Sequence, residues 1–223
     1  MVRLKIHWKF YLVSALISLI IFSTGIYFGI FISKEKIEFL KTNLEDIKIM
    51  QEDTSLQFSL ISMLGNKSCA LISYELNKAI STAANLGDKV SKYGVDEKVI
   101  DPSFESLKKD YTITLIKYWV LLEKMRNDCN RTDFITILFF YSNKNCRECK
   151  AQGLVLDYMK SQYPENFMVF ALDSDLDINV VNIIKNIYEV KTVPTLVINN
   201  KRFDGLVKAE DLKALLCEKI KKC

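Results

Sequence analysis

The chain has 223 residues, 49% of them apolar, and its 31 basic and 27 acidic residues leave a net charge of +4. That is enough for one large core or two small ones. The charges are spread without a polybasic run beyond the first residues, which argues against a nucleic-acid partner, and a single histidine, His7, leaves no basis for histidine-based metal or acid–base chemistry.

From Phe10 to Ser33 the chain reads FYLVSALISLIIFSTGIYFGIFIS, 24 residues without a charge. As a helix this run is about 36 Å long, enough to cross a hydrocarbon layer. Arg3, Lys5 and Lys9 precede it, Lys34 follows it, and Trp8, Tyr11 and Tyr27 sit toward its ends, as interfacial aromatics do. A cleaved signal peptide is the alternative. The run exceeds the usual ~7–15 residues of such peptides and no small-x-small site ends it, which favours a retained single-pass transmembrane anchor over residues 1–33. Basic residues are similar in number on both sides, with Lys34, Lys36, Lys41 and Lys48 after the run. A short basic N-terminus ahead of a long domain favours a cytoplasmic N-terminus and extracytoplasmic residues 34–223.

Residues 34–132 read as a helical domain. Ile37, Leu40, Leu44 and Ile47 form a stripe in steps of three and four, interrupted at Gln51 and Thr54 and resumed at Leu56, Leu60 and Leu64. This membrane-proximal helix, ended by Gly65-Asn66, offers a face for self-association or docking. Ser68 is placed to cap a second helix that runs to about Tyr93 and stops at Gly94, and Asp101-Pro102 opens a third that runs to about Cys129. Two long helices with a short connection should form an antiparallel hairpin. That packing brings Cys69 and Cys129 to one end, where a structural disulfide would close a loop of about 60 residues and stabilise it by roughly 4 kcal/mol. Two unpaired buried thiols, or a pair exchanging electrons with the C-x-x-C of Cys146 and Cys149, are the other readings.

Past Thr132 the texture changes. Phe134 to Tyr141, FITILFFY, is an unbroken apolar and β-branched run, as in a strand buried on both faces. There follow a helix from Arg147 to about Gln162, an apolar run Phe167 to Leu172, and a helix around Val180 to Tyr188. A strand Thr195 to Ile198, a turn at Asn199-Asn200, a short strand Arg202-Phe203 and a helix from Lys208 to about Lys219 complete the order. Residues 133–223 are thus predicted to form an α/β sandwich.

Cys146 and Cys149 stand where the first of these helices starts. Unsatisfied N–H groups there stabilise a thiolate and lower its pKa, so Cys146 is the expected nucleophile, and Cys149, three residues on, the resolving thiol. A zinc site would need a second ligand pair. Cys217 and Cys223 are six residues apart on a terminal helix, about 240° around its axis, and do not serve, so no metal is expected. Cys217 is expected against the core, with Cys223 loose or in a small terminal disulfide. Asp173, Asp175 and Asp177 are spaced like the start of a calcium loop, but Ile178 and Ile184 stand where glycine and glutamate belong, and the acids read as decoration of a turn.

The segments FITILFFYSNKNCRECK and VKTVPTLVINNKRFDG resemble the thioredoxin superfamily. The resemblance implies an α/β thioredoxin-like sandwich over residues 133–223, a cis peptide at Pro194 facing the cysteines, and a substrate segment pairing with the main chain of Val193. Lys150 also fits the pattern. Asn145 stands where tryptophan is common, Arg147-Glu148 where Gly-Pro is usual, and Phe140 where many thioredoxins carry a buried acid. Proton transfer at Cys149 then falls to water or a neighbour.

The function expected from these features is that of a membrane-tethered thiol–disulfide oxidoreductase without a cofactor. It would act on thiols or disulfides of exported proteins or on a membrane redox partner. The competing reading is a non-catalytic thioredoxin-like assembly module that docks partners through residues 34–129 and carries a static disulfide.

Overall fold

The computed structural model describes residues 14–27, 49, 52–93, 102–144 and 146–220. The chain divides into two compact units, Met1–Leu60 and Ile61–Cys223. In the first, residues 14–27 are helical with exposed side chains. The rest of the apolar run, residues 10–13 and 28–33, and the stripe from Ile37 to Ile47 lie outside the described residues. Among the described residues no helix is long and apolar enough to cross a membrane. Helix α1 covers residues 52–64.

The second unit includes the last turn of α1, residues 61–64, which runs into a 3₁₀ turn, Gly65–Ser68, where Gly65 takes a φ of +49° that a side chain would resist. Helix α2 (Cys69–Tyr93) continues from this turn. The buried Ser68 hydroxyl donates back to the Gly65 carbonyl at 2.6 Å instead of capping α2, because α2 follows the turn without a break. Helix α3 (Pro102–Asp128) returns alongside. Contacts at 69/129, 75/117 and 87/111 rise on one helix as they fall on the other, so the two run antiparallel. Gly87 matters to this packing, since a Cβ there would meet the Tyr111 ring at 3.3 Å.

The sheet has the order β2-β1-β3-β4, with β1 (Ile135–Tyr141) parallel to β2 (Phe167–Asp173) and antiparallel to β3 (Thr195–Ile198). Strand β4 (Lys201–Asp204) pairs antiparallel with β3. Between them Asn199 and Asn200 hold φ of 46° and 70°, the positive values that a two-residue hairpin turn needs and that asparagine tolerates.

Side chains of β1 alternate between two cores, which is why its sequence is apolar throughout. Phe134, Leu138 and Phe140 face Leu115, Ile116 and Leu122 of α3 and Val181 and Ile184 of α5 (Asn179–Ile187). Ile135, Ile137 and Phe139 face Leu156 and Met159 of α4 (Arg147–Gln162) and Leu212 and Leu216 of α6 (Ala209–Ile220). Each such large side chain, fully buried, contributes about 1.5–3 kcal/mol. The helical hairpin therefore shares a core with the sheet. Helix α3 lies along it in the opposite sense to β1. Its start meets the C-terminal end of β2 through Lys108 and Asp173, its middle meets Met168 and Phe170 through Tyr118, and its end meets Phe134 and Thr136 through Arg126.

Candidate active site

Strand β1 ends at Tyr141, and after the loop that includes residues 142–144 Cys146 occupies the N-cap of α4. The chain emerges at the C-terminal edge of a buried strand, so the cap is delivered to the surface while the helix behind it packs down. Cys146 is half-buried and Cys149, one turn inside, is 5% exposed among apolar neighbours from both β1 and α4. The two are joined by a disulfide. The main-chain N–H of Cys149 donates to Cys146 Sγ at 3.2 Å, the contact that an N-cap acceptor makes with the first turn. The same N–H would favour a thiolate on Cys146 once the disulfide is reduced.

The opposing wall is the turn before β3. Val193–Pro194 is a cis peptide, and the Val193 carbonyl oxygen lies 3.8 Å from Cys146 Sγ. In the disulfide form that sulfur has no proton to donate, so this is a contact; the reduced thiol could donate across it. The Thr195 hydroxyl, within reach of Thr192 O at 2.7 Å and Asp204 Oδ1 at 3.1 Å, and the Gly205 N–H, donating to Pro194 O at 2.9 Å, brace the turn. Behind α4 the fully buried Gln152 bonds both the N–H and the carbonyl of Val207, which ties the helix to the chain entering α6.

An open hollow beside the disulfide is lined by Asn143, Cys146, Arg147 and Lys150. Among the described residues neither Arg147 nor Lys150 forms an ion pair, so the rim of Cys146 is cationic. Phe140 is fully buried in the core on the other face of the sheet from Cys149. Tyr141, on the face of Cys149, is the titratable side chain of β1. Burial, reinforced by the nearby Asp173 carboxylate, pushes its phenol up to about 12, so it stays neutral at physiological pH.

Cys146, Cys149, Val193 and Pro194 are thus brought to one place. Cys69 and Cys129 form a separate disulfide, with a Cα–Cα distance of 5.8 Å, at the far end of α3. Since α3 runs against β1, this staple sits near the start of β1 and Cys146 beyond its end, about 20 Å apart by strand length alone. Direct thiol exchange between the two pairs in one folded molecule is therefore excluded. Cys217 is half-buried on α6 and disulfide-bonded, and Cys223 lies outside the described residues. Sequence reasoning missed Asp173 as a site residue. It is 2% exposed, not turn decoration, and pairs with Lys108.

A central parallel strand leading to a C-x-x-C helix cap, an antiparallel β3-β4 pair after a cis-proline, and helices on both faces make one recognisable set. The domain is thioredoxin-like. Among solved structures, the chain is similar to thioredoxin-2, a component of the malaria parasite's protein secretion machinery, at 26% identity over 38% of this chain and 82% of that one, with a TM-score of 0.33. It is similar to chloroplastic thioredoxin z at 18% identity over 45% and 88%, with a TM-score of 0.35. A thioredoxin-like protein from Clostridium perfringens matches at 20% identity over 40% and 73%, with a TM-score of 0.34. No protein-family model and no curated protein matches the chain.

Proposed function

We propose that the protein is a thiol–disulfide oxidoreductase, held at a membrane by residues 10–33, whose thioredoxin-like domain acts outside the cytoplasm on exported proteins or on a membrane redox partner. The observation that carries this reading is the asymmetry of the Cys146–Cys149 disulfide. One sulfur sits at a helix N-cap beside an open cationic hollow, and the other is buried one turn behind it. The tether rests on the uncharged run of 24 residues and its basic and aromatic flanks.

In the reducing direction the Cys146 thiolate attacks a substrate disulfide. A bond forms between Cys146 and one substrate sulfur, the substrate S–S bond breaks, and the departing sulfur takes a proton. The Cys149 thiolate then attacks Cys146 Sγ, which releases the second substrate sulfur as a thiol and leaves the enzyme pair oxidised. The substrate has gained two electrons and two protons. The oxidising direction is the reverse, and the reduction potentials of pair and substrate decide between them. The main chain of Val193 is the edge against which an extended substrate segment would lie.

The assembly-module reading is favoured by one observation. On α1, Leu56, Leu60, Met63 and Leu64 are exposed, an apolar face suited to self-association or a partner helix. One experiment separates the two. A Cys149→Ala variant of the full chain should accumulate mixed disulfides through Cys146, which reducing agent releases, and Cys146→Ala/Cys149→Ala should accumulate none. A Cys149→Ala variant that traps nothing would leave only the scaffold.

A further inference from the structure

Beneath the loop that leads from β1 to Cys146 lies a buried ion pair that the cysteine chemistry does not itself use. Asp173 closes β2 with its side chain 3% exposed. Its Oδ2 accepts from Lys108 Nζ at 2.6 Å and from Asn143 Nδ2 at 2.9 Å, and its Oδ1 accepts from the Asp175 N–H at 2.9 Å. Asp175 Oδ2 accepts in turn from the Ser142 hydroxyl at 2.8 Å and the Asn143 N–H at 3.2 Å, and the Lys144 N–H donates to Ser142 Oγ at 2.9 Å. Residues 142–144 are therefore held by one carboxylate cluster, and Asn143 lines the same hollow as Cys146.

Lys108 comes from α3, outside the strands and helices of the thioredoxin-like sandwich. A carboxylate buried this deeply keeps its charge only beside a cation or a full set of donors. We propose that Lys108 is a positioning residue for Cys146: it neutralises Asp173, which holds Asn143, and through Asn143 it sets the loop that delivers Cys146 to the cap of α4. The helical hairpin so reaches the redox centre through one cation near the start of α3. The proposal rests on reading Cys146 as the nucleophile.

The test measures, on the reduced full chain, the rate of Cys146 alkylation by iodoacetamide at pH 7, with Cys149 resolved by peptide mapping, alongside the thermal unfolding temperature. Lys108→Met should slow Cys146 about five-fold or more, as displacement of a reacting group does, and Lys108→Arg should keep the rate. Lys108→Met/Asp173→Asn should restore it, because an amide at position 173 still accepts from Asn143 and needs no cation. Asn143→Ala, on the surface, should slow Cys146 as Lys108→Met does with the unfolding temperature unchanged, which a merely structural role of the pair would not produce. A Cys146 rate within about twofold of wild type in Asn143→Ala, or a double variant no faster than Lys108→Met, overturns the proposal. If Lys108→Met does not fold, Asn143→Ala decides alone. Alkylation that follows these variants in a protein that never exchanges with substrate disulfides would sink the oxidoreductase reading and leave the coupling standing.

Discussion

Cys146 and Cys149 are three residues apart in sequence and lie in different media. One faces a hollow with Arg147 and Lys150; the other is packed among Ile137, Phe139 and Leu196. That division was legible from the spacing and from the strand before it, because the direction of a helix face follows from position alone. The Lys108–Asp173–Asn143 cluster was not legible: Asp173 sits among alternating acids at a strand end, and its cation arrives on a helix from 65 residues earlier. Tyr141 yields a prediction at this scale. Its phenol is raised to about 12 by burial and the Asp173 charge, so the folded state holds the proton more tightly than an unfolded tyrosine near 10 does. Its contribution to stability is whole below about pH 10 and is lost as pH rises toward 12, up to about 2 kcal/mol. Denaturant unfolding across that range should show a shallower alkaline fall for Tyr141→Phe than for wild type; equal falls would contradict it.

Pro102 announced the start of α3, and the boundaries of α4 followed from Arg147 and the turn after Gln162. That α3 serves two neighbours was hidden. Leu115, Ile116, Leu121, Leu122 and Met125 are all buried, facing α2 on one side and the sheet on the other, so no single apolar stripe marks the helix. The disulfide at the far end of the hairpin lies apart from the Cys146–Cys149 pair, and its expected role is structural. Cys69→Ala/Cys129→Ala should destabilise the second unit by about 4 kcal/mol for a separation of 60 residues, while the Cys146 alkylation rate stays at the wild-type value. Unfolding curves with the alkylation assay check both halves, and a slowed Cys146 would tie the staple to the chemistry.

For the whole molecule, the expected order of anchor, helical region and thioredoxin-like sandwich places the reactive pair some 110 residues beyond the apolar run. Deleting residues 1–33 should move the protein from the membrane to the soluble fraction with its dithiol chemistry intact, and retention in the membrane pellet after alkaline extraction would contradict the tether. The partner of the exposed α1 face was not readable, since an apolar stripe names no occupant. The proposed chemistry turns on the cap of α4 making Cys146 the reactive sulfur. The direct measurement is the pH profile of alkylation of the reduced full chain, followed separately at each cysteine. Cys146 should reach half its maximal rate well below the ordinary thiol value of about 8.5, with Cys149 slow throughout. A Cys146 midpoint at or above that value, or two cysteines reacting alike, would contradict the account.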